Sequence, residues 1–208
     1  MNDRLLPELG IRRACPDDAG AIIDTMTEAM SSGPAAEWLI PDARHRTRPF
    51  RAYAETLRAQ TLAQHGFIDV VPSLAGAALW LPGPSVAALA VQDEERALRK
   101  VFGPAAFDRL LRLDHAIRRR TPTAPHHRLT LIAVDPSTQR RGIGTLLLGH
   151  HLAHLDSTRT LAVLVATNIR AVKLFLRPEH AFSVSERFVP EHGGPDLWAM
   201  RRIPGGAR

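Results

Sequence analysis

The strongest constraint on this chain is a change of hydrophobic pattern between residues 129 and 148. Leu129-Thr130-Leu131-Ile132-Ala133-Val134 reads as a strand, which passes through Asp135-Pro136 into Gln139-Arg140-Arg141-Gly142-Ile143-Gly144. From Gly142 to Leu155 the apolar residues return at helical spacing. A loop between strand and helix points its amides past the helix N-terminus, where they and the helix dipole attract an anion. Glycines at 142 and 144 let backbone approach a phosphate closely. Arg140 and Arg141 add charged, planar donors. Taken alone, the loop also fits a basic turn capped by glycines.

Two nucleotide motifs are excluded. The NTPase phosphate loop needs Gly, four residues, then Gly-Lys-Ser/Thr, and no such run occurs. The dinucleotide fingerprint needs a third glycine, but Leu147 stands in its place.

The order of elements predicts an α/β fold. Ile11–Ala14 reads as a first strand, and Pro16-Asp17-Asp18 supplies helix-start chemistry. Ile22, Ile23, Met26 and Met30 line one helix face, which Ser32-Gly33-Pro34 ends. A second helix spans about Asp42 to His65, with Arg44, Arg46, Arg48 and Arg51 as a solvated basic face. Phe67–Val71 and Ala75–Leu81 form a hairpin. Residues 85–120 form a helical insert ending in Arg118-Arg119-Arg120, where cations suit the helix dipole. After the 129–134 strand and its helix come a strand at Leu161–Ala166, a helix from Asn168 to about Arg177, and strands at Phe182–Val189 and Leu197–Arg202. Residues 203–208 read as a frayed tail. The 208 residues, 45% of them apolar, suit a single domain.

No run of about 18 apolar residues occurs, so no membrane-spanning helix and no membrane partner is expected. Met1 to Gly10 lacks the apolar region of a secretory signal. Cys15 is the only cysteine, which rules out an intramolecular disulfide and a cysteine-based zinc site. The expected address is the cytoplasm, and the expected state a monomer or homodimer. The net charge is +6, and only Lys100 and Lys173 of 27 basic residues are lysines. GC-rich coding explains that bias; a polyanionic partner, CoA or nucleic acid, would also use it.

Val134-Asp135-Pro136 followed by Gln139-x-x-Gly142-x-Gly144 resembles the acetyl-CoA motif of the GNAT N-acetyltransferases. Ala166-Thr167-Asn168-Ile169-Arg170-Ala171-Val172-Lys173-Leu174-Phe175 resembles that family's second motif. With 23 residues between Gly144 and Asn168, the pair is more specific than either alone. The resemblance spans about residues 10–202. It comes nearest to the puromycin N-acetyltransferase group, on His126-His127, Trp80-Leu81-Pro82 and Trp198-x-Met200.

The resemblance implies a mixed, twisted sheet of six to seven strands with helices on both faces, strands four and five splaying apart to admit the pantetheine. It implies acetyl-CoA as co-substrate, no metal, and a primary amine of a small molecule as acceptor. The main chain of Ile132, Ala133 and Val134 would hold the pantetheine and thioester. The segment Gln139, Arg140, Arg141, Gly142, Ile143, Gly144 and Thr145 would hold the pyrophosphate, and Asn168 would touch the pantetheine arm. Phe175 departs from the pattern: the family often has a tyrosine there, as acid for the leaving thiolate, and phenylalanine has no proton to give. The single tyrosine, Tyr53, falls in the second helix. Pro178-Glu179-His180-Ala181-Phe182 also lacks the glycine usual after that helix.

Amine acylation needs a group that removes a proton. His126 and His127 have the right ordinary pKa and a resembling position, or are a capping pair. His150 and His154 are four apart on a helix, but no metalloprotease pattern accompanies them, and a solvated face is the simpler account. Glu37 and Trp38 fall where the family's acceptor-binding loop lies, and Glu37 and Asp42 would attract an amine or cap the second helix. Two rivals remain: a GNAT-fold transferase taking its acyl group from an aminoacyl-tRNA, suggested by Arg118–Arg120, and a non-catalytic acyl-CoA-binding module, suggested by Phe175.

Overall fold

The computed structural model describes residues 10–83 and 92–205. The reading of the first nine residues, the start of the 85–120 insert and the end of the 203–208 tail lie outside them. Seven strands form one sheet: β1 (Arg12–Arg13), β2 (Phe67–Val70), β3 (Gly76–Gly83), β4 (His126–Val134), β5 (Leu161–Ala166), β6 (Ser183–Phe188) and β7 (Leu197–Arg202). Their order is β1-β2-β3-β4-β5-β7-β6. Every neighbouring pair is antiparallel except β4 and β5, which are parallel. A parallel pair needs a crossover, and α6 (Ile143–Ser157) supplies it. The mixed sheet expected from the sequence is the sheet found.

Helices cover both faces, so β3 is apolar along its length instead of alternating, with Gly76 to Leu81 all buried. On one face, α1 (Ala19–Met30) and α3 (Thr47–Ala63) bury Ile22, Met26 and Ala54 against Ile68, Val70, Ala77 and Leu79. Further along that face, α2 (Pro34–Leu39), α4 (Gln92–Phe102) and α5 (Pro104–Arg118) pack Leu39, Phe102, Phe107 and Leu110 with Phe188, Leu197 and Ala199. On the other face, α6 and α7 (Ile169–Phe175) press Leu147, Leu148, Leu155, Val172 and Phe175 onto Ala78, Trp80, Leu164 and Met200. No helix among the described residues is long and apolar enough to cross a membrane.

Four details differ from expectation. Gly33, at φ +91°, ends α1 as anticipated, but Pro34 then starts α2, because proline is pre-organised for a first helical position. The insert is broken at Gly103 (φ +75°), and Pro104 opens α5. Arg46 is not solvated: its Nε donates to the Ile40 carbonyl (2.7 Å) and its terminal nitrogens to Pro41 (2.9 Å) and Ser31 (3.2 Å). A guanidinium has five donors, so one side chain ties the end of α1 to the segment after α2. The tail is held as far as Gly205, whose N–H donates to Asp156 (3.1 Å). Asp156 also receives both terminal nitrogens of the buried Arg202, at 2.8 and 2.6 Å.

Candidate active site

The loop after β4 is built by short-range polar contacts. The Asp135 carboxylate accepts the Ser137 N–H (2.7 Å) and hydroxyl (2.6 Å), which sets a short 3-10 turn over Pro136–Thr138. These bonds hold the Asp135 carboxyl below the usual range. The Gln139 amide donates back to the Val134 carbonyl (3.1 Å), tying the loop to the end of the strand. Arg140 (φ +65°) and Gly142 (φ +85°) both take left-handed backbone, so the chain turns sharply into α6. The first bond of α6 is Leu146 N–H to the Gly142 carbonyl (3.0 Å), so the amides of Ile143, Gly144 and Thr145 precede it. Arg140 and Arg141 are exposed, and neither forms an ion pair among the described residues. A third guanidinium, unforeseen from the sequence, is that of Arg177, which donates to the Thr145 hydroxyl (3.4 Å).

Beside this loop the sheet opens. β4 and β5 pair from His126–Leu161 only as far as Leu129–Leu164, while β4 runs on to Val134 and β5 to Ala166. The cause lies in β4. Trp80 pairs with Leu129 but Leu79 with Leu131, so Thr130 is an extra, bulged residue. A bulge bends its strand and increases its twist. It also reverses the side-chain alternation: Leu129 packs with Trp80 under α6, and Leu131 packs against the α1–α3 cluster. The free edge of Thr130–Val134 therefore faces a wedge. At its far end a Cβ on Gly144 would lie 3.5 Å from Leu174, 3.9 Å from Ile132 and 4.0 Å from Val134, so α6, α7 and β4 converge there. Asn168 starts α7, its side-chain oxygen accepting the Ala171 N–H (2.8 Å). Phe175 is buried edge-on against Phe182, with ring centres 5.6 Å apart.

On the opposite face, a cavity of about 90 Å³ reaches the sheet where β4 and β5 part, lined by Thr130, Leu129 and Val165 together with Tyr53, Asp114 and Arg128. Burial pushes the Tyr53 phenol up and the Asp114 carboxyl up, the latter against the pull of Arg118, which pairs with it. Burial pulls the Arg128 guanidinium down. A second cavity, of about 200 Å³, adjoins it; Ile117, Arg128 and Val165 line both. Nothing in the sequence pattern signals this cluster, because its members lie on α3, α5 and β4 and meet only through helix packing.

The other anticipated residues lie apart from the wedge. His126 and His127 pair with Leu161 and Ala162 in the closed part of the sheet. At about 3.3 Å per residue, His126 stands roughly 13 Å along the strand from Thr130. His126 is buried, its Nδ1 bonded to the Ala124 carbonyl (2.7 Å), and Gly83 is glycine because a Cβ there would meet the His126 ring at 2.5 Å. His127 shares a hydrogen bond (3.0 Å) with His151 on the α6 side. His151 is buried between Trp80 and Phe67, and burial lowers its pKa to about 3, whereas His150 and His154 are exposed. No group of His, Cys, Asp and Glu that could hold a metal occurs among the described residues. Glu37 is exposed on α2, and Trp38 packs with the α5–β7 cluster. Asp42 caps the short turn before α3 by accepting the Arg44 N–H (3.0 Å).

This strand order, with a bulged β4 parting from its parallel neighbour beside a glycine turn, defines an acetyltransferase class of fold. The chain belongs to the GNAT acetyltransferase family, whose pattern matches residues 75–178. Among solved structures it is similar to one described as "histone acetyltransferase HPA2 and related acetyltransferase" from Corynebacterium glutamicum, at 26% identity over 95% of this chain and 97% of that one, with a TM-score of 0.71. The fold is also that of arylalkylamine N-acetyltransferase 2 from Aedes aegypti, at 12% identity over 94% and 98% of the two chains (TM-score 0.67). It is shared with the ribosomal-protein-S18-alanine N-acetyltransferase of Escherichia coli, at 15% identity over 96% of each chain (TM-score 0.55). No curated protein matches the sequence.

Proposed function

We propose that the protein transfers an acetyl or other acyl group from acyl-CoA to a primary amine of a small molecule. The supporting observation is the meeting of two features at one end of β4: the unpaired edge Thr130–Val134 and the amides and arginines of the Gln139–Thr145 turn. The turn suits a pyrophosphate. A Cβ on Gly142 would meet nothing within 4 Å, so the turn is open on the side that a side chain at 142 would take. Arg140, Arg141 and Arg177 supply positive charge beside it. The main-chain groups of Ile132, Ala133 and Val134 that neither β3 nor the Gln139 amide engages suit the amide-bearing pantetheine, and Asn168, with its oxygen used in capping α7, keeps its NH₂ for the same arm. Two structural neighbours, an arylalkylamine N-acetyltransferase and a ribosomal-protein alanine N-acetyltransferase, are named for amine acceptors, which agrees with this reading. Nearness to the puromycin N-acetyltransferase group rests on motif resemblance alone. The proposed compartment is the cytoplasm.

When bound, acyl-CoA supplies a thioester: the amine lone pair attacks its carbonyl carbon, the C–S bond breaks, the acyl group passes to nitrogen, and sulfur leaves as the thiol after gaining a proton. The chain's own part is chiefly positioning, which alone can account for several orders of magnitude in rate. Main-chain N–H groups on the free edge of β4 would stabilise charge on the carbonyl oxygen of a thioester held there. Asp114, its affinity for a proton raised by burial, is the carboxylate lining the cavity and receives the proton released by the amine. Tyr53 is the phenol lining the same cavity and stays protonated, so it can donate a hydrogen bond there, while the departing thiolate takes its proton from water. No step is assigned to His126 or His127.

Calorimetric titration with acetyl-CoA, paired with a thiol-release assay over an amine panel, tests this. Binding with release is expected. Binding without release would support a non-catalytic module, and absence of binding would sink the acyl-CoA assignment.

A further inference from the structure

Arg128 lines both cavities and, unlike its neighbours Arg118 and Arg120, has no hydrogen bond or ion pair among the described residues. Arg118 pairs with Asp114; Arg120 donates to Glu186 (2.8 Å) and lies 3.6 Å over the Phe188 ring. No hydrogen bond or ion pair reaches Arg128 from any described residue, and its Nε is buried without a partner. Arg128 as a whole is half-buried, and a guanidinium with an unpaired buried nitrogen gains from a partner that completes its hydrogen bonding. Asp114 attracts Arg128 across the cluster but is hydrogen-bonded by Arg118. The cluster thus holds two guanidiniums against one carboxylate, a local excess of one positive charge. The second cavity repeats the sign: Arg120, Arg128 and Arg201 line it, with Thr121 and Ser185 as further polar residues and no acidic side chain.

We propose that the acceptor is an amino carboxylate, a free amino acid or a short derivative of one, whose carboxylate pairs with Arg128 while its amine enters the wedge beside Thr130. This rests on the acyl-CoA reading above. The planar fork of arginine matches the two oxygens of a carboxylate, and a monoanion cancels the single excess charge. Arg128 and Thr130 stand two residues apart on β4, about 7 Å along the strand. The reach of the Arg128 side chain closes that gap to the few bonds between an amine and its carboxylate. The rest of the acceptor extends past Arg128 into the second cavity, over Val163, Val165 and Met200.

The test compares the L-amino acids, each with its carboxamide and its decarboxylated amine, in thiol release with acetyl-CoA. Thermal shift measures binding of the same compounds without turnover. For the best acceptor, the carboxylate form is expected to exceed its amide and its amine by about tenfold to a hundredfold in kcat/KM, chiefly through KM, the range of one charged hydrogen-bonded contact. Arg128→Met is expected to abolish that preference and the carboxylate-dependent thermal shift, leave acetyl-CoA affinity unchanged, and change the melting temperature little, because no hydrogen bond or ion pair of Arg128 to a described residue is lost. Arg128→Lys is expected to keep part of the preference. If acetyl-CoA binds and no carboxylate form is favoured in turnover or thermal shift, the acceptor class is overturned and the acyl-CoA reading stands. Discrimination that survives in Arg128→Met overturns it equally. Failure of acetyl-CoA to bind overturns both.

Discussion

Gly142→Asp separates binding from folding at the pyrophosphate turn. Gly142 has φ +85° and ψ −2°, and a Cβ there would meet nothing within 4 Å. An L-residue in left-handed backbone costs about 1 kcal/mol, and aspartate is among those that tolerate it. A carboxylate at the start of α6 recovers about 0.3–1 kcal/mol from the helix dipole. The folded state should therefore change by no more than about 1 kcal/mol. Binding should change far more. At an effective dielectric of about 20, two like charges 4–5 Å apart repel by about 3–4 kcal/mol. One such contact lowers acetyl-CoA affinity by roughly two to three orders of magnitude. Gly142→Ala carries the same backbone strain without charge, so the difference between the two variants isolates the electrostatic part. Calorimetry with acetyl-CoA and thermal unfolding of all three proteins read both quantities. Wild-type affinity in Gly142→Asp, or equal losses in the alanine and aspartate variants, would refute a pyrophosphate at this turn.

Three further outcomes are expected. His151 has a folded pKa of about 3 against an ordinary 6.5, because burial disfavours its charged form. The unfolded chain therefore binds that proton first: the stabilisation is full above pH 6.5 and is lost as pH falls from 6.5 toward 3. Denaturant titrations across that range should show the decline, and His151→Phe should flatten it, with His127 and His180, also lowered by burial, leaving a residual slope. Replacing Arg118, Arg119 and Arg120 by alanine should lower the melting temperature, since they engage Asp114, Glu191 and Glu186, and leave acetyl-CoA affinity intact. Steeply salt-dependent binding of a charged tRNA, lost in that variant, would instead favour an aminoacyl-tRNA donor. Phe175→Tyr should bury a hydroxyl against Phe182, costing about 1–3 kcal/mol and a melting shift of about 2–10 °C, with little change in acetyl-CoA affinity. An unchanged melting temperature with faster thiol release would mean that the phenol reaches the wedge instead.

Much of the architecture was legible in the chain because it is set by local patterning. The apolar run 129–134, the turn 139–144 and the periodic helix after it are fixed by neighbours a few residues apart, and from Leu129 onward the expected elements agree with the observed ones to within a few residues, whereas α2 and the break at Gly103 were not expected. Their local chemistry also announced the family, since two glycines, an Asn-capped helix and the spacing between them are features of consecutive residues. The missed details each depended on a distant partner. Arg46 looked like a solvated cation until its three carbonyl partners were placed around it. His151 sits one residue from a solvated histidine, and only the packing of α6 onto β3 decided which of them loses its water. The bulge at Thr130 cannot be read from the strand itself, because it is a mismatch of register between β3 and β4. That mismatch bends β4 where β5 leaves it and opens the wedge. The cavity beside it draws Tyr53, Asp114 and Arg128 from segments up to 75 positions apart (Tyr53 to Arg128). The sequence by itself determined the strand–turn–helix that suits a pyrophosphate, because hydrogen bonding and helix geometry are local. Where the amine enters, and which charge awaits it, was decided only by tertiary structure, because burial and unpaired charge belong to the assembled fold.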